Sequence, residues 1–219
     1  MSPVSPLSLL GPLDGAALAV LVLVWFGTGW LIEHPPARRP SVSVLMARFR
    51  QDWMRQFVTR QPRIFDATVL DSLRQSTAFF ASTCLIALGC GVALIGNADR
   101  LVGVATGFTL HATALLLEVK LIVVLILVAN AFLKFVWANR LFGYCAILMA
   151  SVPNDPEDPE ALPRAAQAAQ INITAARSFN RGLQSVYFAL AGLAWILGPV
   201  PLLAATLLTG LVLLRREFA

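Results

Sequence analysis

A chain of 219 residues that is 58% hydrophobic and only 13% charged, with mean hydropathy +0.73, is too apolar for an ordinary soluble domain. Its apolar surplus lies in long uninterrupted runs, the mark of transmembrane helices rather than of a large core. The net charge of +5 follows from membrane sidedness, as shown below, so no nucleic-acid partner is expected.

The first apolar run covers about 13–32. It has neither a basic n-region nor a small-residue cleavage site, so it reads as an uncleaved span. HPPARRP at 34–40 then breaks the chain, and Ser41 or Ser43 is placed to cap a helix over about 42–60. At 100° per residue Val42, Leu45, Met46, Phe49, Trp53 and Phe57 share one arc, with Arg48 and Arg55 on the polar side. A basic helix with an aromatic stripe suits an anionic inner leaflet, and it suits equally a dock on other segments of the same protein.

The second span covers about 72–95 and opens with a polar, hydroxyl-rich half: Gln75, Ser76, Thr77, Ser82 and Thr83. Asp71 and Arg74 stand three residues apart at its entrance and share a helix face. The third span covers about 114–138, with Glu118 and Lys120 at its start and Lys134 and Arg140 at its end. PNDPEDPEALP at 153–163 is an acidic, proline-rich loop, and a helix is predicted from about 160–178 directly into a fourth span at 179–197, which Asn180 and Arg181 enter. GPVP at 198–201 must break the helix, because each proline removes a donor and clashes with a preceding carbonyl. A short fifth span, about 201–216, follows.

Charge asymmetry supports five spans with the N-terminus outside and the C-terminus in the cytoplasm. Arg38, Arg39, Arg48, Arg50, Arg55, Arg60, Arg63, Arg164, Arg177, Arg181, Arg215 and Arg216 then fall inside, leaving Arg100 and Lys120 outside. The expected architecture is a single all-α membrane domain over 1–219, in a bacterial inner membrane.

Four blocks carry a resemblance: WMRQFVTRQPRIFDATVLDSLRQSTAFFAST, LEVKLIVVLILVANAFLKFVWANRLFGYCAIL, ARSFNRGLQSVYFALAGLAW and LLRREF. Together they resemble domain-of-unknown-function family 599, multi-pass membrane proteins of bacteria and plants, over about 15–217. The resemblance implies a small helical inner-membrane protein and transfers no activity.

Catalytic signatures are absent from the sequence: it has no phosphate-cradling glycine loop, no G-x-S-x-G, no H-E-x-x-H and no CxxC. His34 and His111 fall on opposite faces, so one subunit cannot clamp a haem between them. Cys84, Cys90 and Cys145 read as small buried hydrophobes. No enzyme, metal or cofactor is expected. Asn172–Ile173–Thr174 matches a glycosylation acceptor by chance, given its inner location.

What remains is charge near the membrane. An outer layer holds Glu118 and Lys120, with Asp99, Arg100 and His111 nearby in sequence. An inner layer holds Asp66, Asp71, Arg74, Lys134, Arg140, Asn180 and Arg181. In one reading Asp71 and Arg74 latch helices together, Lys134 snorkels beside Trp137, and the protein is a structural or accessory one acting through protein or anionic-lipid contacts. In the alternative, the inner cations and the span-two hydroxyls line the mouth of an oligomeric channel or transporter for ions or small anions. Small residues at Ala87–Gly91, Gly27–Gly29 and Ala189–Gly192 would let helices meet closely in a homo-oligomer or larger membrane complex.

Overall fold

The computed structural model describes residues 10–97 and 114–219. Six α-helices account for most of them: α1 (Pro12–Glu33), α2 (Val42–Thr59), α3 (Ile64–Ile95), α4 (Ala114–Ala150), α5 (Ala161–Leu193) and α6 (Pro199–Phe218). A 3-10 turn, Ala194–Leu197, joins the last two. No strand occurs among the described residues.

Four of these helices, α1, α3, α4 and α6, are long and apolar enough to cross a membrane. The fourth expected span, inside α5, is not among them. Its 33 residues include Arg164, Arg177 and Arg181 among several amides, and its apolar stretch ends at the 3-10 turn. The break expected at GPVP is present. Gly198 takes φ 128°, a left-handed conformation that glycine tolerates, and Pro199 opens α6 where its missing N–H costs nothing.

Two helices overrun the predicted spans. α3 starts at Ile64, eight residues before the expected 72, and α4 continues to Ala150 rather than ending near 138. At 1.5 Å per residue α4 is about 55 Å long and α5 about 50 Å, against a hydrocarbon core of about 30 Å. The two pack along most of their length, and α5 can approach closely because Gly182 faces Phe135. A Cβ at 182 would stand 2.7 Å from that ring.

The described residues form two stacked packing regions. In the first, α1, α5 and α6 enclose Ala17, Leu21, Phe188, Trp195 and Leu202, and Phe80, Phe135 and Phe179 stack where α3, α4 and α5 meet. In the second, at the arginine-rich end, the overrunning halves of α4 and α5 join α2 around Met54, Phe57, Phe142, Cys145 and Met149, against an alanine row on α5 (Ala161, Ala165, Ala168, Ala169). Of the three cysteines, Cys84 and Cys145 are buried, whereas Cys90 is exposed on α3, contrary to the expectation for it.

Candidate functional site

The arginine-rich end is organised by three anchors. Ser41 caps α2 by accepting from Val44 N–H and donates to Ile32 O at 2.7 Å, which fixes α2 against the end of α1. Asp66, fully buried, accepts from Trp53 Nε1 at 2.6 Å and from Arg60, pinning the α2–α3 corner. Arg63 donates to Val152 O at 2.9 Å and Pro153 O at 2.7 Å, stitching that corner to the α4–α5 loop. The Ser41 cap was anticipated from sequence; its bond to Ile32 and the pairings of Asp66 and Arg63 were not. The only available signal was Asp66 lying six residues beyond Arg60 across Pro62.

The docked face of α2 differs from the expected one. Met54, Phe57 and Val58 are buried and Arg50 turns inward with them, while Val42, Met46 and Phe49 stay 43%, 45% and 62% exposed. The buried stripe lies about a quarter turn from the exposed one at 100° per residue. Phe57 is therefore a core residue rather than a membrane-interface one, and Trp53 is held by Asp66. Arg48 is exposed, and Arg55 pairs with Asp52 at 3.7 Å on the outer side.

Between α1, α2, α3, α5 and α6 at this end lies a cavity of about 700 Å3. Four arginines (50, 177, 181 and 216) and two glutamates (33 and 217) line it, a net of two positive charges. Arg181 makes a bidentate pair with Glu33, at 2.5 and 2.6 Å. Glu217 accepts from the backbone N–H and hydroxyl of Ser43, and Ser43 Oγ also accepts from Asn180. The other three arginines have no carboxylate in ion-pair range among the described residues. Arg216 donates to Tyr187 OH at 3.2 Å, and Arg50 donates to the buried amide of Asn172. Burial pushes the Arg50 guanidinium down from its ordinary value. Asn172, wholly buried and bonded to Arg50 and to Cys145, has no side chain free for a glycan.

The remaining sequence-selected residues divide between cavity and exterior. The Asp71–Arg74 latch is not formed: Asp71 accepts from Gln75 at 2.7 Å, and both ends of the expected pair are exposed. Lys134 is half-buried and has no ion pair among the described residues, so Asp71 does not cap it. Arg140 is exposed and donates to Tyr144 OH at 2.5 Å. Ser76 and Thr77 line the cavity, whereas Gln75, Ser82 and Thr83 are exposed on the outside of α3. Ser76, Thr77 and Thr83 donate back to the carbonyls of Ser72, Leu73 and Phe79 on their own helix.

At the opposite end Lys120 is buried rather than displayed, with its ammonium 5.7 Å from the Trp195 ring. Trp195 in turn donates to Asp14 at 2.7 Å, and Glu118 is half-buried. Asp99, Arg100 and His111 lie outside the described residues. No group of three or more His, Cys, Asp or Glu side chains among the described residues could hold a metal ion.

Long apolar helices, an all-helical bundle and a basic, cavity-bearing end define a multi-span helical membrane protein. The chain belongs to the family described as "Protein of unknown function, DUF599", which matches residues 16–219. No curated protein and no solved structure matches it.

Proposed function

We propose that this chain is a non-catalytic accessory protein of the bacterial inner membrane, with its arginine-rich end on the cytoplasmic face, and that it works by holding anionic lipid there. The observation that carries the reading is the division of α2. One face is docked on the bundle through Met54, Phe57 and Val58, and a second apolar stripe of Val42, Met46 and Phe49 is left exposed beside Arg48. An exposed apolar stripe on a helix that also displays an exposed arginine suits the boundary between anionic headgroups and acyl chains. Trp30 and Trp137, 64% and 49% exposed, are suited to the same interface.

In this reading α5 crosses as a fifth, sheltered segment. Arg181 meets Glu33 at one end of α1, and Trp195, just past the end of α5, meets Asp14 at the other. The nineteen residue steps from Asp14 to Glu33 span about 28 Å, close to a hydrocarbon core. A helix covered by α1, α4 and α6 needs less apolar surface than one facing lipid, which explains why arginine and amide groups are tolerated in it. Hydroxyls that bond their own α3 carbonyls have no need of a water-filled lining, which favours this reading over a channel.

Hydrogen exchange of the full chain in nanodiscs tests the proposal. Amides of 42–50 exchange more slowly in discs containing phosphatidylglycerol than in discs of phosphatidylcholine alone, while 53–59 are unchanged. Equal exchange over 42–50 in the two discs would overturn it.

A further inference from the structure

The cavity adjoins the outer stripe of α2, since Val42 and Met46 line it while Phe49 does not, but its arginines need none of the leaflet contact just described. Its polar wall carries three guanidiniums from three helices, Arg50 (α2), Arg177 (α5) and Arg216 (α6), without a carboxylate in ion-pair range among the described residues. Arg177 makes no hydrogen bond or ion pair at all among those residues. With Glu33 engaged by Arg181 and Glu217 by Ser43, the lining keeps a net positive charge, carried by half-buried Arg50 and by the exposed Arg177 and Arg216.

Other parts of the lining are apolar: Leu73 and Phe80 from α3, Leu183 from α5 and Leu213 from α6. A volume of about 700 Å3 lies in the range of small-molecule sites and exceeds what a lone phosphate fills.

We propose that this cavity binds one phosphate-bearing amphiphile, its phosphate held by Arg50, Arg177 and Arg216 and its apolar chain laid along Leu73, Phe80 and Leu183. Guanidinium forks match phosphate oxygens in pairs, and three of them on separate helices would tie α2, α5 and α6 together around the ligand. Asn172, bonded to Arg50, positions that fork from behind. Ser76 and Thr77 reach the same space from α3.

The test uses the full chain in a neutral detergent, with dioctanoyl phosphatidylglycerol as probe, read by native mass spectrometry and by the shift in thermal midpoint. One equivalent should bind saturably and raise the midpoint, while dioctanoyl phosphatidylcholine at the same concentration should do neither. Arg177→Ala should weaken binding about tenfold, the loss expected of one charge-assisted contact, with little change in the ligand-free midpoint, because exposed Arg177 makes no hydrogen bond and acts only through a screened attraction to Glu33. Arg216→Gln should weaken binding similarly, with at most a small change in the ligand-free midpoint from loss of its exposed contact with Tyr187. If Arg50→Gln fails to fold, Arg177→Ala and Arg216→Gln decide. Binding unchanged in Arg177→Ala and Arg216→Gln would overturn the site. Binding of inorganic phosphate alone with equal affinity and the same arginine dependence would overturn the amphiphile, since the apolar wall would then contribute nothing. A negative result here with altered exchange over 42–50 in nanodiscs would remove the cavity ligand and leave the leaflet contact standing.

Discussion

The two halves of the molecule solve packing by different means. In the spanning half, large apolar side chains such as Leu23, Phe26, Ile86 and Leu208 are 62–70% exposed and need no cover if acyl chains surround them. Helices there meet through rings and small residues, as where Gly182 admits Phe135. The arginine-rich half resembles a small soluble domain: an alanine-lined helix pair, a docked amphipathic helix, and corners fixed by Asp66 and Arg63. Removal of a polar anchor should therefore cost more in the second half, and over-filling of a contact should cost more in the first.

The largest effect is expected at Asp66. Asp66→Ala leaves Arg60 without its anion and Trp53 Nε1 without its acceptor, a loss of about 3 kcal/mol, at the low end for a broken buried pair because Arg60 is partly exposed. The thermal midpoint in detergent measures it, and a midpoint equal to wild type would mean that the corner is not held this way. Next comes Gly182→Ala in the spanning half. Its new methyl meets the Phe135 ring and should cost about 2 kcal/mol by overpacking. Gly182→Ala combined with Phe135→Leu should recover part of that loss, and no recovery would mean that the Phe135 ring is not what the new methyl meets.

Arg181→Ala sits between the halves. The Glu33 pair is bidentate, but Arg181 is 47% exposed, so about 1 kcal/mol is expected after screening. The difference from wild type should shrink in high salt; a salt-independent loss would contradict an ion-pair origin. The smallest effect belongs to Asp71→Ala, within about 0.5 kcal/mol of wild type, since Asp71 is exposed and bonds only Gln75. A large loss there would reinstate a latch at the entrance of α3.

These contrasts also separate what the sequence revealed from what it concealed. Apolar runs and GPVP located α1, α3, α4 and α6, because a membrane core demands long apolar helices and proline stops them. Where those helices end was concealed: the bilayer limits a span, not a helix, and RLFGYCAILM continues α4 into the second core. The α2 helix and its Ser41 cap were legible, but its docked face was not. Two apolar stripes overlap on that helix, and only the partners on α4 and α5 decide which is covered. The charged layer was located in sequence without its pairings. Glu33 meets Arg181 across 148 residues, and Asp71 chose Gln75 over Arg74. Arg177 and Arg216 were placed inside by sidedness alone, and the cavity that collects them exists only once α1, α2, α3, α5 and α6 are assembled.

The division of α2 is the claim on which the functional account turns, and one accessibility measurement reaches it directly. A nitroxide is placed at Phe49→Cys, and separately at Asp52→Cys, in a Cys90→Ala background that removes the exposed native thiol. Each full-length protein is then reconstituted in bilayers containing phosphatidylglycerol. The account predicts that the label at 49 relaxes with oxygen in preference to a water-soluble nickel chelate, and that the label at 52 shows the reverse. Equal, water-like accessibility at both positions would contradict it.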